Sequence, residues 1–333
     1  MTPIARLTIA TINPIFLLVL SRALDALRPA LLAFLIANAA SLASGTHTPI
    51  SFCNVLFVGN LCAAITVVVR FGWRPIWQDL NQLSLKLGTG LVINGCLAAL
   101  LASLIFLGLY NTTVTNAVLL ARLGPVLYAL AGTLLLGQRI KPAEWFGYTL
   151  IVVGIGAIVL KTSNFQINQG DLLILGSAVV YATTSYLGKF LLAQKGANLR
   201  LLVFSRNMFS ALIFFVIASV LFGPVHFSDV FSGQLWVVMA IYALVVIVLS
   251  QFFWYAALDR LDSQAVGKWS TVAPVFGVVY AFLLNGERPS VPQVLAFVVI
   301  MVGLLITNFS KKSVEEMEPK ALMGNVETSA SAP

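Results

Sequence analysis

Apolar stretches separated by short polar breaks recur along almost the whole chain. A membrane-crossing helix needs about 20 mostly apolar residues to traverse about 30 Å of hydrocarbon. Reading from one polar break to the next gives ten such spans, over residues 28–45, 50–70, 87–108, 113–137, 143–160, 171–193, 200–222, 234–257, 263–285 and 291–308. Arg70-Phe71-Gly72-Trp73-Arg74-Pro75 ends the second, Gly137-Gln138-Arg139-Ile140-Lys141-Pro142 the fourth and Gly223-Pro224 the seventh. Several connections are only a few residues long, which makes neighbouring helices antiparallel. The pattern predicts an all-α polytopic membrane protein.

The two ends are less regular. Residues 8–20 are apolar but too few to cross, and Arg22, Asp25 and Arg28 separate them from the run that starts at Pro29. Three readings compete for residues 1–27: an interfacial segment, the start of a longer first span, or a signal peptide with Arg6 as its charged start and Ser21-Arg22-Ala23 as its cleavage site. Pro14 interrupts the short apolar core, which favours the interfacial segment. Residues 310–333 carry Lys311, Lys312, Glu315 and Glu316 before a Ser/Ala-rich end, the composition of a disordered tail.

Composition supports the membrane. Hydrophobic residues make up 59% of the 333 and charged residues 10%, with a mean hydropathy of +0.95. A soluble domain carries roughly 25% charged residues. The net charge of +8 does not point to nucleic acid, because the basic residues are scattered between apolar runs instead of forming one stripe. Lys and Arg mark orientation instead. With a cytoplasmic N-terminus, inside connections hold Arg70, Arg74, Lys86, Arg139, Lys141, Lys195, Arg200 and Arg260, against Lys161 and Arg288 outside. Both termini then face the cytoplasm, as for a bacterial inner-membrane protein. Cys53, Cys62 and Cys96 lie in apolar segments without a CxxC pair, and His47 and His226 fall in connections, so no metal or cofactor is implied.

The chain also resembles itself. Pro125, Gly137, Arg139 and Gly154 recur as Pro274, Gly286, Arg288 and Gly303, all at one offset of 149 residues (Pro274 against Pro125). One inserted residue brings Asn116-Ala117-Val118 onto Gln264-Ala265-Val266. A repeat of five spans, an odd number, must insert its second copy upside down. Inverted repeats are a recurring transporter architecture, with the substrate held near the midplane between the copies.

The blocks PVLYALAGTLLLGQRIKPAEWFGYTLIVVGIGAIVL (125–160) and APVFGVVYAFLLNGERPSVPQVLAFVVIMVGLLI (273–306) resemble the paired EamA-type domains of the drug/metabolite transporter superfamily. The resemblance covers residues 28–310. It implies two inverted five-helix repeats, 28–161 and 170–309, a central cavity, alternating access, and peripheral fifth and tenth helices. Gln138 stands where the first copy usually has Glu, and the first span lacks the family's Trp-Gly.

Candidate chemistry is sparse. Arg122 falls ten residues into the fourth span, about 14 Å from its outer end. A charge so deep must face protein or water. No Asp or Glu falls at that depth in the ten spans as drawn, so Arg122 has no evident acidic partner and suits a carboxylate or phosphate on a substrate. The competing reading ties it to backbone carbonyls at a helix break. Lys268 occupies a related face of the ninth span but is near enough to the cytoplasmic end to snorkel, as are Arg206 and Lys189. Ser177, Tyr181, Thr184, Ser185 and Gly188 form a small, polar stripe on the sixth span, suited to helix packing or to a wet cavity. Tyr181 is its best cavity candidate. Gln251, Trp254 and Tyr255 share a face of the eighth span, and Asn116 adds an amide on the fourth. Pro125 and Pro274 remove a backbone hydrogen bond at matched positions and mark either paired hinges or fixed kinks. Catalytic motifs are absent: no HExxH, no phosphate loop and no paired-carboxylate diphosphate site.

The residues thus point to a secondary transporter, an exporter or exchanger, of a small polar, anionic metabolite. The alternatives are an exporter of amphipathic or aromatic compounds and, in another class, a membrane-embedded enzyme or lipid-handling protein. For topology, tags at both termini should be reachable only from the cytoplasm, and a cysteine replacing Ser228 should label from outside. Opposite labelling of the two ends would mean a miscounted span.

Overall fold

The first helix starts earlier than the apolar pattern suggests. In the computed structural model the Asn13 side chain accepts the Ile15 N–H at 2.9 Å. Pro14 takes the first turn, where a missing N–H costs nothing, and α1 runs unbroken over Pro14–Ala37. No helix boundary exists at residue 28, where the sequence reading put the join between an interfacial segment and a first span. The 24 residues of α1 reach about 36 Å, enough to cross, and place Arg22, Asp25 and Arg28 along its middle. Its N-terminal half is inside the protein. Leu17 and Leu18 are buried against Phe253, Ala257, Leu261 and Trp269. Ser21 Oγ donates to the Ser250 carbonyl at 2.8 Å, and Ser250 Oγ returns a bond to the Ser21 carbonyl at 3.2 Å.

The structure describes residues 12–39, 51–136, 141–162, 168–192, 194–222, 230, 232–250, 253, 257, 260–261, 269 and 272–310. Every element among them is helical: α2 Phe52–Phe71, α3 Trp73–Asn81, α4 Leu85–Leu109, α5 Val114–Leu120, α6 Leu123–Leu136, α7 Pro142–Thr162, α8 Gln169–Leu192, α9 Leu199–Phe222, α10 Gly233–Tyr242 with a π-helical continuation Ala243–Leu249, α11 Ala273–Asn285 and α12 Val291–Ser310. Among these, α2, α4, α7, α8 and α9 contain stretches long and apolar enough to cross a membrane.

Two other elements depart from the sequence reading. The break after the second span is itself helical. In α3, Ile76 is fully buried while Trp73 and Trp77 are exposed, their rings 5.8 Å apart. Such a helix suits the bilayer interface. Arg200 anchors it, donating to Asp79 Oδ2 from Nε at 2.9 Å and from Nη2 at 2.6 Å. The fourth span, read as one helix over 113–137, is broken into α5 and α6 at Ala121–Arg122.

The inverted relation of the two halves is visible where α7 and α12 pack. They run antiparallel and approach through glycine: a Cβ on Gly303 would lie 2.6 Å from the Gly147 carbonyl oxygen. The 149-residue offset maps the Gly147–Gly303 contact onto Ala296–Gly154, and a Cβ on Gly154 would indeed lie 3.2 Å from the Ala296 oxygen. One contact thus occurs twice with its partners exchanged. Small residues suit helix pairing in lipid, where close backbone packing replaces the hydrophobic driving force.

A second tie joins the halves at the start of α5. Gly286 closes α11 in the left-handed region, at φ 65°, with the Glu287 N–H returning to Ala281 O at 3.2 Å, the pattern of a Schellman motif. That turn delivers the Glu287 carboxylate to the α5 N-terminus. It accepts from Val114 N at 2.6 Å, Thr115 N at 2.9 Å and Thr115 Oγ1 at 2.9 Å. A carboxylate there satisfies orphan N–H groups and faces the positive end of the helix dipole. Beside it, Gln293 Nε2 donates to Asn116 Oδ1 at 2.7 Å, Asn116 Nδ2 donates to Asp171 Oδ1 at 3.4 Å, and Thr112 Oγ1 donates to the same Asp171 oxygen.

Asn116, taken from the sequence as a substrate contact, is therefore buried and its amide committed to Gln293 and Asp171. Asn116→Ala should lower stability by roughly 1–3 kcal/mol, the cost of leaving buried partners unsatisfied, and leave solute affinity unchanged. Thermal unfolding of the purified protein, followed by a binding titration, checks both; an affinity loss at normal stability would return Asn116 to the site.

Candidate functional site

Pro125 shapes the centre of the fourth span. Without an N–H it cannot bond the Ala121 carbonyl four residues back; the Gly124 N–H takes that oxygen instead at 3.1 Å. The Arg122 N–H likewise reaches only to Leu119 O, at 3.1 Å. The Val118 carbonyl, which a continuous helix would offer to the Arg122 N–H, accepts from the Arg122 side chain, with Nε 3.2 Å away. The break is thus self-satisfied, as a backbone in lipid requires. It also turns the guanidinium into the bundle. The bond to Val118 has the form of the reading that ties Arg122 to a backbone carbonyl at a helix break, and the guanidinium also lies within reach of other charged groups.

Those groups come from four helices. Asp25, in the middle of α1, feels the charges of Arg28, Arg22, Arg122 and Arg206. Arg28 Nη2 donates to Asp25 Oδ1 at 3.2 Å. Tyr242, at the end of α10, lies within electrostatic reach of both. Although groups from α1, the α5–α6 junction, α9 and α10 surround it, the Asp25 side chain keeps 45% of its surface accessible and Arg28 33%. The sequence expectation that Arg122 has no acidic neighbour is overturned, because Asp25 lies midway along the unbroken helix α1 and acts on Arg122. Arg206, read as snorkelling, instead acts on Asp25.

The aromatic side of the site comes from α6 and α8. A Cβ on Gly124 would lie 2.8 Å from Tyr181 Cδ1, so only glycine lets that ring sit beside the break. Tyr181 is exposed, within electrostatic reach of Arg122 and Tyr128. The Tyr128 and Tyr186 rings are 4.6 Å apart. The rest of the α8 stripe serves packing. Ser177, Thr184 and Ser185 return their hydroxyls to carbonyls of their own helix, at 2.6, 2.9 and 2.7 Å.

Of the residues singled out from sequence, the structure brings Arg122, Tyr181 and Pro125 together. Pro274 lies in the first turn of α11, as Pro125 does in α6, so each proline opens a helical segment and neither sits mid-helix. Lys268, Gln251, Trp254 and Tyr255 lie outside the described residues. Sequence reasoning missed Asp25, Arg22, Arg28, Arg206, Tyr242, Tyr128 and Tyr186. A signal existed for three of them: residues 22, 25 and 28 share one helical face at spacings of three, and Asn13-Pro14 is a helix start. No group of three or more His, Cys, Asp or Glu able to hold a metal occurs among the described residues.

Comparison with known proteins places this geometry. A model of the EamA-like transporter family matches the chain twice, over residues 26–160 and 168–309. An uncharacterized transporter of Synechocystis sp. is 31% identical over 274 residues, covering 78% of this chain and 77% of its own length. A probable amino-acid metabolite efflux pump of Escherichia coli is 29% identical over 237 residues, 68% of this chain and 77% of its own. One crystal structure shares the fold, with a TM-score of 0.54 at 20% identity over 88% of this chain and 99% of the other. With two family matches spanning most of the chain, and a charged centre inside apolar helices, the protein belongs to the EamA-like transporter family and is a membrane transporter, not an enzyme.

Proposed function

We propose that the chain exports or exchanges a small organic anion by alternating access, with Arg122 holding the substrate's carboxylate or phosphate. One observation carries the reading. Asp25 is the carboxylate that acts on the guanidinium groups of both Arg28 and Arg122, beside the phenols of Tyr242 and Tyr181, and Arg22 and Arg206 also act on it. A guanidinium at mid-membrane costs from about 2.5 kcal/mol to above 10 by different measures. Keeping Arg28 and Arg122 beside one carboxylate suits a site that a second anion joins during the working cycle. The name of the Escherichia coli relative, an amino-acid metabolite efflux pump, fits a substrate bearing a carboxylate. The lysine and arginine bias supports a bacterial inner-membrane protein with both termini in the cytoplasm. The tyrosines at 128, 181 and 186 favour a second reading, export of aromatic or amphipathic compounds, in which Arg122 only closes the helix break.

Transport in proteoliposomes separates the two readings. Arg122→Ala should abolish uptake of an anionic substrate at near-normal folding. Arg122→Lys should be impaired, since an ammonium cannot reproduce the two-pronged contact of a guanidinium with a carboxylate. Survival of transport in Arg122→Ala would leave the residue structural.

Alternating access needs paired bends, and the matched helix starts at Pro125 and Pro274 suit that role. Pro125→Ala and Pro274→Ala, each read by cysteine accessibility from both sides, should bias the protein toward opposite open faces. Unchanged accessibility with intact transport would make both prolines fixed architecture.

A further inference from the structure

Asp25 has a position that binding alone does not explain. A site built only to attract an anion gains nothing from a carboxylate at its centre. Yet this one lies mid-helix in α1, bonded to Arg28 at 3.2 Å and within electrostatic reach of Arg122, Arg22 and Arg206. Its side chain is 45% accessible, so the charged groups around it do not seal it off. We propose that Asp25 is a built-in counter-ion that sets the charge of the anion this carrier accepts. It offsets part of the positive charge of Arg28 and Arg122, leaving room for a singly charged solute and disfavouring a doubly charged one. The proposal rests on the anion-site reading above and adds to it a residue that fixes selectivity.

In a space walled by apolar helices, a second carboxylate a few ångström from Asp25 repels it in proportion to its charge. At an effective dielectric of about 20, one unit charge at that range changes affinity by about tenfold or more. Removing the Asp25 charge should therefore favour a dianion over a monoanion. Removing a neighbouring positive charge should do the reverse, and removing both should restore the original preference. A residue that acted through shape or a specific hydrogen bond would not show that restoration. The charge-balanced pair also guards against misfolding, because Asp25→Asn alone leaves the arginines facing one another, whereas Asp25→Asn with Arg28→Gln does not add net charge.

The test uses the purified full-length protein, with succinate as dianion and butyrate as monoanion at neutral pH, titrated by calorimetry. Asp25→Asn should raise the succinate-to-butyrate affinity ratio about tenfold. Arg28→Gln should lower it, and the double variant should return it to the wild-type value. A ratio unmoved by Asp25→Asn, or a double variant that fails to restore it, overturns the counter-ion proposal while leaving the anion site standing. If Asp25→Asn does not fold, Arg28→Gln and the double variant decide on the same criteria. Arg122→Ala is the control for the parent reading. Binding of both anions by that variant as in wild type, or of neither by any of the proteins, removes the anion site and the counter-ion with it.

Discussion

A charge cannot stand alone at the centre of a bilayer, and the ion pair of Asp25 with Arg28, inside the electrostatic reach of Arg22, Arg122 and Arg206, answers that constraint here. It lets α1 run unbroken through the protein despite three charged residues in its middle. The α5–α6 break sets Arg122 within electrostatic reach of the same carboxylate. The ion pair draws Arg206 of α9 and Tyr242 of α10 toward the same point. Four helices from both repeats thus converge on one electrostatic centre, the place where a carrier of inverted halves is expected to hold its substrate.

The surrounding scaffold obeys the same demand that buried polar groups find partners. The carbonyl at Val118 is answered by an arginine side chain, and the orphan N–H groups of α5 by a glutamate from the other repeat. Where nothing polar intervenes, as between α7 and α12, glycines bring the backbones together. The Glu287 cap gives a physical role to the Gly-Glu-Arg sequence that ends the ninth span. That acidic residue is a fastener between repeats, which fits its distance in kind from the charged centre: it meets N–H groups, where Asp25 meets guanidinium groups.

Much of this architecture was legible in the sequence. Apolar runs and polar breaks located most of the spans, because the bilayer imposes a minimum length on each. The offset between Pro125, Gly154 and their partners Pro274 and Gly303 showed the repeat, and an odd number of spans dictated its inversion. Arg122 stood out because a deep charge is costly whatever surrounds it. These inferences need only local composition and count.

Other features depended on what each residue meets across the bundle. Arg22, Asp25 and Arg28 read as a polar break, since hydropathy registers charges without knowing that they neutralise one another against a distant helix. Asn116 and Tyr181 looked alike as polar residues on apolar helices. Packing sent the first into a closed network with Gln293 and Asp171, and the second to an open face beside Gly124. The sequence by itself determined that the chain spans a membrane in two inverted halves, because that follows from the period and length of its apolar segments. Only the tertiary structure decided which charges form the centre, because pairing is set by distances between helices that no single segment encodes.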